Sequence, residues 1–328
     1  MAHKEPDVAT STDALDPQIR RFVTEVSAGF ARYPSFDRLS NVEARRVAEE
    51  VRAPWRQGGP EMHRTFERQV PVAGGTIRIR VYDPAPSGPK PALIYMHGGG
   101  WTIFSIDTHD RVMREYAARA RLVVIGVDYP LSPEAKFPTA LHQIVDVVRW
   151  LGARGNDLGV DADRLAVGGD SAGGNLALAA CLMLRDAGEP QRIKAVLLNY
   201  GSFDTESSSE AEHDFGGAGF MLTADEMRAF WSNYLRGPED ATNPLACPLR
   251  AKLENLPQVF LTIPECDILT EQSLSLEKRL RAAGVAVRAG HYAGATHSFL
   301  EAVSISAVAE RALAEGSQWL RGTLLQPR

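Results

Sequence analysis

Five short stretches of this chain are apolar almost throughout: PALIYMH (91–97), RLVVIGVD (121–128), RLAVGG (164–169), IKAVLLNY (193–200) and QVFLTI (258–263). A strand with one wet face alternates apolar and polar residues. Runs without that alternation need cover on both faces, as in a parallel sheet packed between helices. A further stretch, IRIRVY (77–82), does alternate. Between the runs lie helical patterns. In FPTALHQIVDVVRWL, residues Leu141, Ile144, Val145, Val148 and Leu151 fall at helical spacing, with Pro138 early as a helix starter. From about residue 75 onward, the alternation of strand and helix predicts an α/β fold: a doubly wound, mostly parallel sheet flanked by helices, with right-handed crossovers.

Two segments break the alternation. In the first sixty or so residues, Leu15, Ile19, Phe22, Val23 and Val26 share one helical face, and SNVE (40–43) has the form of a capping box opening a second helix. Residues 203–245 run from the Ser/Glu- and Gly-rich SFDTESSSEAEHDFGGAGF into the helix-like TADEMRAFWSNYL, too long for a plain loop in a compact sheet protein. Both segments are expected to lie over the sheet as a helical cap on a single domain spanning residues 1–328.

The motif GGDSAGGN (168–175) surrounds one serine with glycine and alanine between a predicted strand and a predicted helix, AGGNLALAACLMLRDAG. Alone, G-x-S-x-G also describes an ordinary glycine turn. In a strand-to-helix context it has the form of a nucleophile elbow, where small flanking residues permit a sharp bend that exposes Ser171. Serine hydroxyls are weak nucleophiles until a base takes the proton, and the oxyanion formed on attack needs fixed donors. Upstream, YMHGGGW (95–101) ends a strand with glycines whose N–H groups no side chain covers. That is the HGGG pattern of an oxyanion loop, with a plain flexible turn as the alternative.

Together, HGGGW, DYPLSPEAKFPTAL, GDSAGGN, ECDIL and HSF stand in the order of the hormone-sensitive-lipase family of α/β-hydrolases. The chain resembles that family over about residues 70–325, and DTHDRVMREYAARARLVVIGVDYPLSPEAKFPTAL is similar to bacterial acetyl esterases. The resemblance implies an α/β-hydrolase fold with a helical cap, and carboxylic ester hydrolysis by a Ser-His-Asp triad. It implies Ser171 as nucleophile and the N–H groups of Gly98, Gly99 and Ala172 as oxyanion donors. The acid should follow a later strand and precede the histidine, and Asp267 fits. Its rival, Glu265, would share a side with it if the strand continued. This chain has Ile268 where the family usually has proline, but the carboxylate position is expected to depend mainly on the strand.

Chain order leaves two candidates for the base, because His3, His63, His97, His109 and His142 precede Ser171, and His213 precedes Asp267. His291 lies in the strand-like VAVRAGHY, whereas His297 lies in a glycine-containing loop, where strand ends gather an active site. Asp170 and Glu134 match family positions and are expected to organise loops. Tyr129 matches too, while Pro130 and Ser132 depart from the commoner Arg and Ala. Trp101, Phe220, Phe230, Trp231 and Tyr234 are candidates to line an acyl pocket or, equally, to form cap core.

Composition excludes other classes. With 44% apolar and 23% charged residues the chain is of ordinary globular type. A net charge of -5 gives no field to recruit nucleic acid or an anionic membrane. Cys181, Cys247 and Cys266 have neither disulfide-framework nor zinc spacing and read as small buried hydrophobes. The polar N-terminus does not resemble a signal peptide, and no apolar run approaches the ~20 residues of a membrane span, so the cytoplasm is the expected location. No cofactor and no metal are expected. The leading expectation is an esterase for short acyl chains. The alternatives are an amidase or formamidase of the same fold, since HGGGW also satisfies H-G-G-x-W, and a ligand-binding protein derived from the family. The expected partner is a small-molecule ester, with a homodimer through the last strand suggested by family analogy.

Overall fold

The computed structural model describes residues 12–325; residues 1–11 of the expected N-terminal cap element lie outside them. Among the described residues, eight strands form one sheet: β1 (Arg64–Val72), β2 (Gly75–Asp83), β3 (Lys90–Met96), β4 (Val123–Val127), β5 (Val160–Asp170), β6 (Ile193–Asn199), β7 (Gln258–Pro264) and β8 (Val287–Tyr292). Their order is β1-β2-β4-β3-β5-β6-β7-β8. The β1–β2 and β2–β4 pairs are antiparallel, and every later pair is parallel. The helices are α1 (Pro17–Phe30), α2 (Asn41–Arg52), α3 (Asp110–Ala120), α4 (Thr139–Arg154), α5 (Ala172–Asp186), α6 (Ser209–Phe215), α7 (Ala224–Tyr234), α8 (Thr270–Ala282) and α9 (Ala307–Leu324).

The unalternating runs are explained by burial on both faces. Ala92, Ile94 and Met96 of β3 join a core with α4, α5 and α8, while Leu93 and Tyr95 join a second core with α1, α3 and α9. Ile94 sits between Ile125 of β4 and Val167 of β5 at the middle of the sheet. The sequence pattern starts the strands at about residue 75, but the sheet begins earlier, with β1. Only Val70 of that edge strand is buried, and Glu67 there accepts hydrogen bonds from Arg78 and Arg80 of β2. An edge strand bearing charges has no apolar run to betray it.

Helix α1 starts where Asp16 accepts hydrogen bonds from the Gln18 and Ile19 N–H groups, and it buries Ile19, Phe22, Val23 and Val26. Helix α2 opens with the Ser40–Glu43 capping box, and α7 with an equivalent Thr223–Glu226 box. The two segments that interrupt the alternation meet above the sheet. Phe30, Phe36 and Phe230 pack on Ala48, Ile103 and Phe104, and an Arg52 Nη2 lies 3.6 Å from Met221 Sδ. At the C-terminus of α7, Lys136 Nζ donates to the carbonyls of Ser232 (3.0 Å), Asn233 (2.9 Å) and Leu235 (2.7 Å). Cys181, Cys247 and Cys266 are buried and unbridged. Among the described residues, no helix is long and apolar enough to cross a membrane.

Candidate active site

Ser171 stands between the end of β5 and the start of α5, at φ 54 and ψ -121. A non-glycine residue held there stores strain, and the surroundings show what enforces it. A Cβ on Gly173 would collide with the Met96 carbonyl, and one on Gly169 with the Met96 carbonyl and the Gly173 backbone. Helix, strand and turn can close this tightly only without those side chains. The Ser171 N–H donates to the Asn199 carbonyl (2.9 Å), and the Asn175 amide ties the first turn of α5 to the carbonyls of Ser202 and Ala246, 2.8 Å each.

His297 Nε2 lies 2.8 Å from Ser171 Oγ, and His297 Nδ1 lies 2.7 Å from Asp267 Oδ2. All three are buried, with exposures of 7% for Ser171, 5% for His297 and 1% for Asp267. Asp267 Oδ1 accepts the Leu269 N–H at 2.9 Å. The strand does not set this carboxylate, contrary to the sequence expectation. Strand β7 ends at Pro264, so both Asp267 and Glu265 lie in the following turn and strand alternation does not relate them. What separates the two is burial: Glu265 is exposed and accepts the Gly294 N–H at 2.9 Å. The histidine loop is pinned by Thr296, whose hydroxyl oxygen lies 2.7 Å from the carbonyls of both Phe220 and Cys266. The Tyr200 ring meets His297 edge-on at 5.1 Å.

Gly98 and Gly99 follow β3 beside the elbow. A Cβ on Gly98 would collide with the Asp170 carboxylate, and one on Gly99, at φ 108, with the Ile103 carbonyl. The Gly99 carbonyl accepts from the N–H groups of Thr102 and Ile103, both at 3.0 Å, which fixes the loop. Ala172 is the first residue of α5, so its N–H has no partner within the helix. Behind the loop, His97 Nδ1 donates to the Gly98 carbonyl at 2.7 Å, and the ring stacks on Tyr129 at 4.3 Å. The Tyr129 hydroxyl donates to the His97 carbonyl at 2.8 Å. Burial, reinforced by neighbouring His109, pushes the His97 imidazole down to about 3, so it is neutral.

Asp170 is buried and accepts from the Tyr95 hydroxyl at 2.8 Å, with His109 Nε2 at 3.2 Å. Burial alone would raise its carboxyl; facing His109 and Tyr95 outweigh that and hold it below the usual carboxylate range. Glu134 accepts from Arg45 of α2 (2.6 Å), which also donates to the carbonyls of Thr102 and Ser132 (2.9 Å each), joining the N-terminal helices to the glycine loop. The Ser132 N–H donates to the Trp101 carbonyl at 2.8 Å. Among the aromatic candidates, Trp101 stacks on Tyr234 at 4.2 Å and touches Trp231 at 4.5 Å, all three buried together. Phe220 is buried against Phe215, and Phe230 lies half-buried where a Cβ of Gly100 would stand. Among the described residues, no group of three or more His, Cys, Asp or Glu side chains is arranged to hold a metal ion. Sequence reasoning missed His109, Tyr95 and Arg45. No local spacing signals them, because they converge from separate elements.

A family model described as the alpha/beta hydrolase fold matches residues 93–301. The acetyl esterase of Salmonella dublin is 33% identical over 276 residues, which cover 84% of this chain and 84% of the relative. The structure of a hyperthermophilic esterase from the archaeon Pyrobaculum calidifontis is similar at a TM-score of 0.88 and 32% identity, covering 95% of this chain and 99% of that one. A thermostable carboxylesterase cloned from a metagenomic library is similar at a TM-score of 0.85 and 34% identity, covering 88% of this chain and 99% of that one.

Proposed function

This chain belongs to the hormone-sensitive-lipase family of α/β-hydrolases and is a serine carboxylesterase; we propose that it cleaves short acyl esters, acetyl to about butyryl, through an acyl-enzyme on Ser171. The observation that carries the reading is the hydrogen-bonded line from Ser171 through His297 to Asp267, at 2.8 and 2.7 Å. Asp267 fixes the Nδ1–H tautomer, which leaves Nε2 free to accept the serine proton. Ser171 Oγ attacks the ester carbonyl carbon as its proton passes to His297. The negative oxygen of the tetrahedral intermediate accepts hydrogen bonds from the Gly98, Gly99 and Ala172 N–H groups. The imidazolium then protonates the departing alkoxide, and the alcohol leaves an acyl group on Ser171. A water attacks the acyl carbon, gives its proton to His297, and the carboxylic acid departs as Ser171 regains its hydrogen.

The short-acyl preference is supported by the acetyl esterase relative. The segments before residue 60 and from 203 to 245 are read as the cap over this site. A panel of p-nitrophenyl esters of increasing acyl length tests the reading. We expect turnover to peak at acetyl to butyryl. Fastest turnover on long chains would overturn the acyl preference, and no hydrolysis of any activated ester would overturn the whole reading.

A further inference from the structure

We propose that His109 is held as an imidazolium and is a positioning residue: through Asp170 it locks the nucleophile elbow to the oxyanion loop. The inference rests on the reading of Ser171 and Gly98 given above. Hydrogen-bond bookkeeping comes first. The Thr108 hydroxyl donates to the Ser105 carbonyl at 2.8 Å and accepts the Ser105 N–H at 3.1 Å. With its single hydrogen on that carbonyl, the nearer of its two acceptors, the hydroxyl turns a lone pair to His109 Nδ1, 2.9 Å away. The other nitrogen, Nε2, faces Asp170 Oδ2 at 3.2 Å. In that arrangement both ring nitrogens face acceptors and both carry hydrogen, whereas a neutral ring would require the Thr108 hydroxyl to swing its hydrogen from Ser105 to Nδ1.

Charge balance points the same way. Arg52 of α2 and Glu301, just beyond His297, form an ion pair at 3.2 Å with side chains only 4% exposed. The Phe104 ring neighbours both, 5.0 Å from the Arg52 guanidinium carbon and 5.8 Å from the His109 ring. Arg52, Glu301 and Asp170 carry a net charge of -1, and a cationic His109 brings the buried group to zero. An uncompensated charge at such depth is strongly unfavourable, and removing one partner of a buried pair strands the other. The other groups around His109 and Asp170 do not supply that charge: Tyr95 of β3 is a neutral donor to Asp170, His97 beside His109 is neutral, and Glu49 of α2 adds only negative potential. Burial works against charge on His109, but Asp170 outweighs it and raises its pKa.

The consequence falls on the glycine loop. Asp170 immediately precedes Ser171, and its Oδ2 occupies the space a Gly98 Cβ would need. One carboxylate therefore touches both halves of the site, and His109 holds that carboxylate still. Without the His109 side chain, the Tyr95 hydroxyl is left to hold Asp170, and the Gly98 backbone loses a fixed neighbour. Misplacements of about 1 Å can cost on the order of 10²-fold in rate.

The test is 15N-resolved NMR of histidines in the intact wild-type protein, with the His109 ring signals assigned by through-bond correlation to its own backbone amide, beside kcat and KM for a short-chain ester across pH. We expect imidazolium shifts at His109 at neutral pH, and in His109→Gln a kcat lower by about 10- to 100-fold with KM little changed and the wild-type alkaline decline flattened. We also expect Asp170→Asn combined with His109→Gln to be no worse than the worse single variant. Neutral shifts at His109 in the wild type at neutral pH would overturn the charge assignment, even if the variants fail to fold. A folded His109→Gln with unchanged kcat and pH profile would overturn the positioning role. A wild type that hydrolyses no ester would refute the esterase reading and leave the NMR result standing.

Discussion

Replacing Asp267 by Asn keeps the shape and removes one acceptor, and the structure fixes what must follow. Asp267 accepts at both oxygens, from the Leu269 N–H at 2.9 Å and from His297 Nδ1 at 2.7 Å. Asn has one acceptor and one donor group, so it can satisfy only one side. If the carbonyl stays on Leu269, the amide NH₂ faces Nδ1 and forces the proton to Nε2, where it blocks acceptance from Ser171. If the amide flips, two N–H groups meet at Leu269, at about 1–3 kcal/mol for the stranded buried donor. The first arrangement should dominate. A wrong tautomer in a triad of this kind lowers turnover by about 10⁴-fold, roughly 5.4 kcal/mol on the barrier. Initial-rate hydrolysis of p-nitrophenyl acetate measures it, with circular dichroism to verify folding. A folded Asp267→Asn retaining more than about a tenth of wild-type kcat would refute the reasoning, because the tautomer would then not be set by residue 267.

Three further outcomes are expected. Ser171→Gly should unfold at higher denaturant than Ser171→Ala, by about 1 kcal/mol, because only glycine relieves the positive φ at the elbow; equal midpoints would mean the elbow stores no strain. Lys136→Met should lower stability by about 1–3 kcal/mol and increase proteolysis at the end of α7, whose last carbonyls lose a charged donor; an unchanged melting curve would count against that anchoring role. Because His97 is pushed down to about 3 in the fold, the unfolded chain binds a proton there that the folded chain refuses. Stability should therefore fall as pH drops from about 6.5 toward 3, by up to about 1.4 kcal/mol per pH unit. Asp170, held low, adds a loss only in stronger acid, while the raised His109 contributes stability below about 6.5 that is lost as pH rises through its folded value. Urea midpoints across that acid range should slope accordingly, and a flat profile would contradict the His97 assignment.

The central strands were legible because burial on both faces removes polar residues from the sequence itself, as at Leu93, Ile94 and Tyr95. Strand β1 was not, since Val70 is its one buried residue and its order comes from pairing with β2. The bend at Ser171 could be read because the demand for small residues is local: Gly169 and Gly173 are crowded by backbone only a few residues away or on the adjoining strand. Chain order and resemblance point to Asp267 through a strand-based argument, but the turn beyond β7 and its burial are what distinguish it from Glu265. Trp101, Trp231 and Tyr234 were ambiguous between pocket and core, since an aromatic residue's neighbours are fixed only by tertiary packing. Chain order excludes His109 as the base and says nothing of its neighbours. Its partners come from α2, β3, β5 and the segment after His297, and no spacing along the chain reports such a convergence.

Covalent labelling by an ester-mimicking phosphonate, followed by peptide mapping in a mass spectrometer, tests the central assignment most directly. One phosphonyl group per chain on the peptide carrying Ser171, with ester hydrolysis lost in proportion, is the predicted result. A label on another residue, or full hydrolysis surviving in Ser171→Ala, would contradict the account.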